Sequence, residues 1–282
     1  MAPKKKKADT NDNGPVQRDL EISFPSKGPI SCIKYANNER TLDLTPSLVF
    51  THGASGTLKA DAMSNFAEGY ANQASAPILS FQGSMNLTSR VKMFEIVSKD
   101  QNALKCFGGR SMGARAAIMA ATDETTHLAL ISYPLHNNNA VRDQILLDLP
   151  ADKRVIFISG DHDSMCDLKK LSSVRSKMKC ETWLCVVQGA DHGMKMKPAK
   201  ASKEIVQKTG EIVAEWLEDA GKYAASSTIS WNAETSSVEV NASGAENIPA
   251  PSEPTPKRSR GKRKAPEDET KTMKPSVRKR RN

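Results

Sequence analysis

Lys105-Cys106-Phe107-Gly108-Gly109-Arg110-Ser111-Met112-Gly113-Ala114-Arg115-Ala116-Ala117 is the stretch on which the reading of this chain turns. Gly109-Arg110-Ser111-Met112-Gly113 fits G-x-S-x-G, the pattern of a nucleophile elbow, in which a serine sits on a sharp turn between a strand and a helix. The glycines serve the tight turn and the close packing of the helix on the strand. With three fixed positions the pattern arises by chance, so its setting carries the weight. The apolar run from Ala103 to Phe107 leads in as a strand, and the small-residue stretch from Ala114 to Ala121 leads out as a helix. That is the strand–turn–helix context the motif requires.

Working outward, Arg154 to Asp163 reads as a buried strand ending in an acid-bearing loop, and Trp183 to Gly193 as another strand ending in Ala190-Asp191-His192-Gly193. Ser111, Asp163 and His192 then stand in the order nucleophile, acid, base, which is the α/β-hydrolase order and differs from the two protease orders that use the same chemistry. They lie 52 and 29 residues apart, leaving room for intervening strands and helices. Histidine suits the base because its ordinary pKa is near neutrality. Asp163 is preferred as the acid because it stands a few residues beyond the strand. Asp161 is the main alternative, its other role being to bond the loop backbone as turn aspartates do, and Asp191 or the absence of an acid stays open behind it.

Upstream, Pro46 to Gly56 is a strand running into His52-Gly53-Ala54, where the backbone N–H of Ala54, together with that of Met112, is expected to form the oxyanion hole. His136, in Tyr133-Pro134-Leu135-His136, reads as a loop residue. Arg115 reads as a packing and salt-bridge residue, and binding an anion at the mouth is a role open to Arg110. Asp161-His162-Asp163 with His192 has no zinc-type spacing, so no metal and no cofactor are expected.

The net charge of +9 is unevenly placed. Residues 257–282 hold 12 Lys/Arg against 3 acidic residues, so the other 256 sum to zero. The body is therefore not a basic nucleic-acid-binding surface, and weak nonspecific nucleic-acid contact is expected only of the tail. Lys4–Lys7, the run 257–264 and the run 278–281 are basic clusters of the kind that direct nuclear import, which places the protein in the nucleus with the cytoplasm as a second compartment. No apolar stretch reaches the length of a membrane helix, and no apolar run follows the N-terminal lysines as in a secretory signal. Five cysteines without C-x-x-C spacing read as reduced thiols.

The alternation of strand-like and helix-like segments from 46 to about 220 argues for an α/β fold. The expected architecture is a mostly parallel sheet of about seven strands with helices on both faces and no large cap. The expected divisions are a disordered basic N-terminus at 1–17, an α/β-hydrolase domain at 18–222, and a disordered tail at 223–282 that is strongly basic from 257. Within that tail, 228–240 shows some β-like alternation.

With these residues in view, Thr51-His52-Gly53-Ala54-Ser55-Gly56, Gly108 to Arg115, Tyr133 to His136 and Gly189-Ala190-Asp191-His192 resemble the dienelactone-hydrolase-like α/β-hydrolases. That group includes testis-expressed protein thirty and the third regulatory subunit of the NSL histone-acetyltransferase complex. The resemblance spans about residues 20–220 and is most specific at Gly-Gly-Arg-Ser-Met-Gly. It implies a compact α/β-hydrolase, and by position it carries Ser111, Asp163 and His192 over as the triad. The chain departs from the group at Ser55, where a glycine is expected, and at Ser164-Met165, where members often have Pro-Phe. Two functions follow as expectations. One is a serine hydrolase acting on a small ester or thioester. The other is a nuclear scaffold in a chromatin-associated protein complex that keeps the fold without needing turnover.

Overall fold

Leu48-Val49-Phe50-Thr51 and Ile78-Leu79-Ser80-Phe81 are buried at every position, the signature of strands covered on both faces. In the computed structural model, which describes residues 14–25, 27–136 and 140–243, these runs lie inside a ten-stranded sheet. The elements are β1 (Val16–Ile22), β2 (Ile30–Ala36), α1 (Glu39–Leu42), β3 (Leu48–Thr51), α2 (Asp61–Gln73), β4 (Ile78–Phe81), α3 (Leu87–Asp100), β5 (Cys106–Arg110) and α4 (Met112–Ala120). They continue with β6 (His127–Ile131), α5 (Gln144–Leu147), β7 (Arg154–Gly160), α6 (Leu168–Arg175), β8 (Glu181–Val187), α7 (Ala199–Glu218), β9 (Ser226–Asn232) and β10 (Ser237–Ser243).

The strand order is β1-β2-β4-β3-β5-β6-β7-β8-β9-β10. Strands β3 to β9 run parallel, while β2 is antiparallel to β4 and β10 to β9. From β3 the chain steps outward to β4 and then back across to β5. The switch point therefore lies between β3 and β5, and open parallel sheets bind ligands at the carboxyl ends of the strands beside such a point.

Two apolar layers cover the sheet. One is built on Met93, Phe94 and Val97 of α3, the alanines of α4, Leu146 of α5, and Leu171 and Val174 of α6. The other is built on Met63, Phe66 and Tyr70 of α2 with Ile205, Ile212, Val213 and Trp216 of α7. Trp216 is fully buried and meets His127 and Trp183 edge-on, at ring distances of 5.1 and 5.5 Å. Helices α2 and α7 cross with their backbones in contact. A Cβ on Gly69 would fall on the backbone of Gln207, and one on Gly210 on that of Phe66. Among the described residues, α5 with its four residues is the single helix between β6 and β7, in keeping with a hydrolase fold without a large cap.

The sheet differs from the expected seven strands at its far end. β9 and β10 extend the fold to Ser243, past residue 222, where a low-hydrophobicity tail was expected to begin, and β1 starts at Val16 rather than 18. The hairpin needs few apolar residues because β8 supplies its template. Leu184 and Gln188 donate their N–H groups to the carbonyls of Ala225 and Ile229 at 3.0 and 2.9 Å. Ile229 is fully buried, with Trp231 and Val238 packed beside it. The Asn232 side chain accepts from the N–H groups of Glu234 and Thr235 and closes the turn. The basic runs at 4–7, 257–264 and 278–281 lie outside the described residues. All five cysteines are unpaired and buried, and burial pushes the thiols of Cys32, Cys166 and Cys185 up to about 12.

Candidate active site

β5 ends at Arg110, and Ser111 turns the chain with φ 52° and ψ −114°. A non-glycine residue there is strained, by about 1–3 kcal/mol. The turn is over-determined by its neighbours. The Ser111 N–H donates to the Ile131 carbonyl at 2.9 Å. A Cβ on Gly109 would lie 2.5 Å from the Gly113 carbonyl carbon, and one on Gly113 2.5 Å from the Thr51 carbonyl oxygen. The two glycines of the motif are thus the points where α4, β5 and β3 touch. Ser111 occupies the N-cap position of α4 without capping it. Its hydroxyl is therefore free of the helix, and Oγ lies 2.9 Å from Nε2 of His192.

His192 hangs from the loop after β8, and Asp163 from the loop after β7. Nδ1 of His192 lies 2.8 and 3.0 Å from the two carboxylate oxygens of Asp163. The Asp163 side chain is fully buried, whereas the His192 ring is 27 % exposed. The Asp163 carboxylate also accepts the Met165 N–H at 2.8 Å on Oδ1. With Nδ1–H donated to that carboxylate, Nε2 is left to accept from the serine. Asp161, the alternative acid, faces elsewhere: its Oδ1 accepts the Gly189 N–H at 2.6 Å and so ties the two loops together. The structure thus brings Ser111, His192 and Asp163 into one hydrogen-bonded line. The Ser164-Met165 departure leaves this loop held by the Met165 backbone, whose carbonyl accepts from His136 N–H at 3.1 Å.

The loop after β3 lies against the elbow, with the Cβ position of Gly53 3.4 Å from that of Ser111. Met112 opens α4, so its N–H has no partner within the helix. The His52 ring is wired on both sides. Its Nδ1 meets the Gly53 carbonyl at 2.6 Å, while Nε2 receives the Gly83 N–H at 2.9 Å and the Gln82 amide at 2.7 Å. Burial lowers its pKa, opposed by the Gly53 carbonyl, and the positive charge of Arg90 lowers it further. Ser55 is exposed, so the loop accommodates it toward solvent.

Arg90 is the residue that the motif reading missed. Its side chain is fully buried, Nε donates to the Ser84 carbonyl at 2.8 Å, and Nη1 donates to the carbonyls of His52 and, at 3.3 Å, Gly53. Burial pulls its pKa down to about 10, so it stays charged at neutral pH. The sequence held a signal for it. Arg90, Met93, Phe94 and Val97 share one face at helical spacing, so an arginine sits on the core stripe of α3.

Arg110 does not stand open at the mouth. Its Nη2 donates to the His192 carbonyl at 3.3 Å, and burial lowers its pKa to about 10 against the pull of Asp191 and Asp163. Arg115 forms no ion pair among the described residues, contrary to expectation, and its pKa is lowered by burial first and then by the like charge of Arg142. His136 is a loop residue whose Nε2 accepts the Asp167 N–H at 3.1 Å, linking the loop after β6 to the start of α6. Among the described residues no three His, Cys, Asp or Glu side chains converge as metal ligands, and no helix is long and apolar enough to cross a membrane.

Residues 83–218 match a family model described as an alpha/beta hydrolase domain. A dienelactone hydrolase from Anabaena variabilis is similar in structure at a TM-score of 0.55 and 15% identity, over 73% of this chain and 98% of that one. An esterase from Pyrobaculum calidifontis is similar at 0.55 and 13%, over 73% and 85%. Est1E from Butyrivibrio proteoclasticus is similar at 0.54 and 13%, over 73% and 99%. Strand order, the chain order of the site loops and the matched domain agree that this chain carries the α/β-hydrolase fold.

Proposed function

We propose that this protein is a serine hydrolase of esterase type, acting on small esters or thioesters through Ser111, His192 and Asp163. The observation that carries the reading is the unbroken line from Ser111 Oγ through the His192 ring to the buried Asp163 carboxylate, at 2.9 and 2.8 Å. Ser111 Oγ attacks the acyl carbon and its proton passes to His192 Nε2. The tetrahedral oxyanion accepts hydrogen bonds from the Ala54 and Met112 N–H groups, each such donor being worth about 3–4 kcal/mol of barrier. Collapse expels the alcohol or thiol, which takes the proton from Nε2. Water then repeats the sequence on the acyl-serine and releases the acid. Asp163 holds the imidazole in the Nδ1–H form and stabilises the imidazolium.

A fluorophosphonate probe tests this reading. It should label the wild type and fail on Ser111→Ala, and a folded wild type that resists labelling would overturn it. The three basic runs support a nuclear location, which a fluorescent fusion lacking 257–282 checks by moving to the cytoplasm.

A further inference from the structure

We propose that Arg90 is a positioning residue that sets the direction of the oxyanion-stabilising N–H groups in the loop after β3. The proposal rests on the hydrolase reading above. A trans peptide is planar and points its C=O and N–H in opposite directions. The Gly53 carbonyl is held by three donors, His52 Nδ1 at 2.6 Å, Arg90 Nη1 at 3.3 Å and the Gly56 N–H at 3.3 Å, and of these Arg90 alone also binds the His52 carbonyl. The N–H of Ala54, on the same peptide, therefore points away from Arg90 and His52. The His52 carbonyl is bound by the same Nη1, which turns the N–H of Gly53 away likewise. On the elbow side, a Cβ placed on Gly53 would lie 3.4 Å from Ser111 Cβ.

A clamp is needed here because Gly53 leaves the loop free to rotate its peptide. A rotated peptide would present a carbonyl oxygen to the oxyanion instead of an N–H. The cost of the clamp is visible. A guanidinium is fully buried with three backbone carbonyls and no carboxylate within ion-pair distance, and its Nη2 has no hydrogen-bond partner among the described residues. A leucine or methionine would serve the packing of α3 without burying a charge. The space for the guanidinium is made by Gly83. A Cβ there would lie 2.5 Å from Arg90 Nε and 2.7 Å from Cζ. Gly83 also donates its N–H to His52 Nε2 at 2.9 Å, so the same peptide fixes the tautomer that faces Gly53.

The test compares Arg90→Met, Arg90→Lys and Gly83→Ala with wild type in p-nitrophenyl acetate hydrolysis and in inhibition by a trifluoromethyl ketone, whose hemiketal on Ser111 carries the oxyanion. Arg90→Met is expected to lower kcat about 10- to 100-fold with KM nearly unchanged, and to weaken the ketone by the same factor as kcat/KM. Arg90→Lys should recover part of both. A merely structural arginine would lower the melting temperature and leave kcat of the folded protein intact, and that result overturns the proposal. If Arg90→Met does not fold, Gly83→Ala decides, since it keeps the arginine and displaces it. Loss of kcat supports the clamp and wild-type kcat overturns it. A wild type inert to esters and phosphonates would sink the hydrolase reading instead. The clamp is then judged by the amide resonance of Ala54 in Arg90→Lys: a shifted or broadened signal supports it and an unmoved one overturns it.

Discussion

Replacing Asp163 with asparagine changes one atom in the middle of the hydrogen-bonded line, and the neighbours dictate how the new amide must sit. Oδ1 of Asp163 accepts the Met165 N–H at 2.8 Å. In Asp163→Asn the amide oxygen has to keep that position, because the reversed amide would set NH2 against N–H and leave a buried donor unpaired, at about 1–3 kcal/mol. The NH2 group then faces His192 Nδ1, where a carboxylate oxygen stood at 2.8 Å. The amide oxygen stays 3.0 Å from Nδ1, but the nearer 2.8 Å partner is now a donor, which favours a ring that accepts on Nδ1 and carries its proton on Nε2. In that form it donates to Ser111 Oγ instead of taking its proton. The same substitution in the serine-protease template lowers kcat about 10⁴-fold for this reason. A loss of about 10³- to 10⁴-fold is expected here, or about 4–5.5 kcal/mol of barrier. Stability should change by no more than about 2 kcal/mol, because Met165 keeps its acceptor. The assay is steady-state hydrolysis of an activated ester, with urea melts in parallel. Asp161→Asn is the control, since an amide oxygen can equally accept from Gly189 N–H. An Asp163→Asn protein keeping more than about a tenth of wild-type kcat would refute the tautomer argument, as would an Asp161→Asn protein with the greater loss.

Three further outcomes are expected. Ser111→Gly should abolish phosphonate labelling yet be at least as stable as wild type, because it relieves a positive φ worth about 1–3 kcal/mol, and a lower melting temperature would contradict that. A chain ending at residue 222 should melt at least about 5 °C below one ending at 243, since it loses the burial of Ile229, about 2–3 kcal/mol alone, and equal melting temperatures would count against the hairpin. Burial first of all lowers the pKa of both His52 and His127, so the unfolded chain takes up protons more readily as the pH falls below about 6.5. Stability in urea should therefore decrease on going from neutral pH to about pH 5, and an increase would reverse the sign argument.

The parts legible in the sequence are those where one residue type serves one geometry. The parallel strands announce themselves as apolar runs, and the elbow as glycines flanking a serine, because no Cβ fits between α4 and the ends of β3 and β5. Asp163 was separable from Asp161 by its distance beyond the strand. β9 was not legible as a firm strand because its inward residues include Ser227 and Thr228, and its order comes from pairing with β8, a long-range partner that local composition does not record. Arg90 escaped for a related reason. Its partners are carbonyl oxygens, which every residue type supplies and no motif can list. Arg110, to which a ligand role was open from its place beside the nucleophile, has the His192 carbonyl as a partner that local sequence does not announce.

The crossing of α2 and α7 has a mechanical consequence. Helix α2 starts at Asp61, shortly after the loop that bears Ala54, and α7 starts at Ala199, shortly after the loop that bears His192. Two loops far apart along the chain thus hang from a single joint, sealed where Gly69 and Gly210 bring the helices' backbones together. Anything that widens this joint pulls on the donor side and the proton-accepting side of Ser111 at once. Heat should therefore extinguish turnover and helical structure together rather than disabling the site first, and a side chain grown at Gly69, remote from every reacting atom, should slacken both halves of the grip on the substrate.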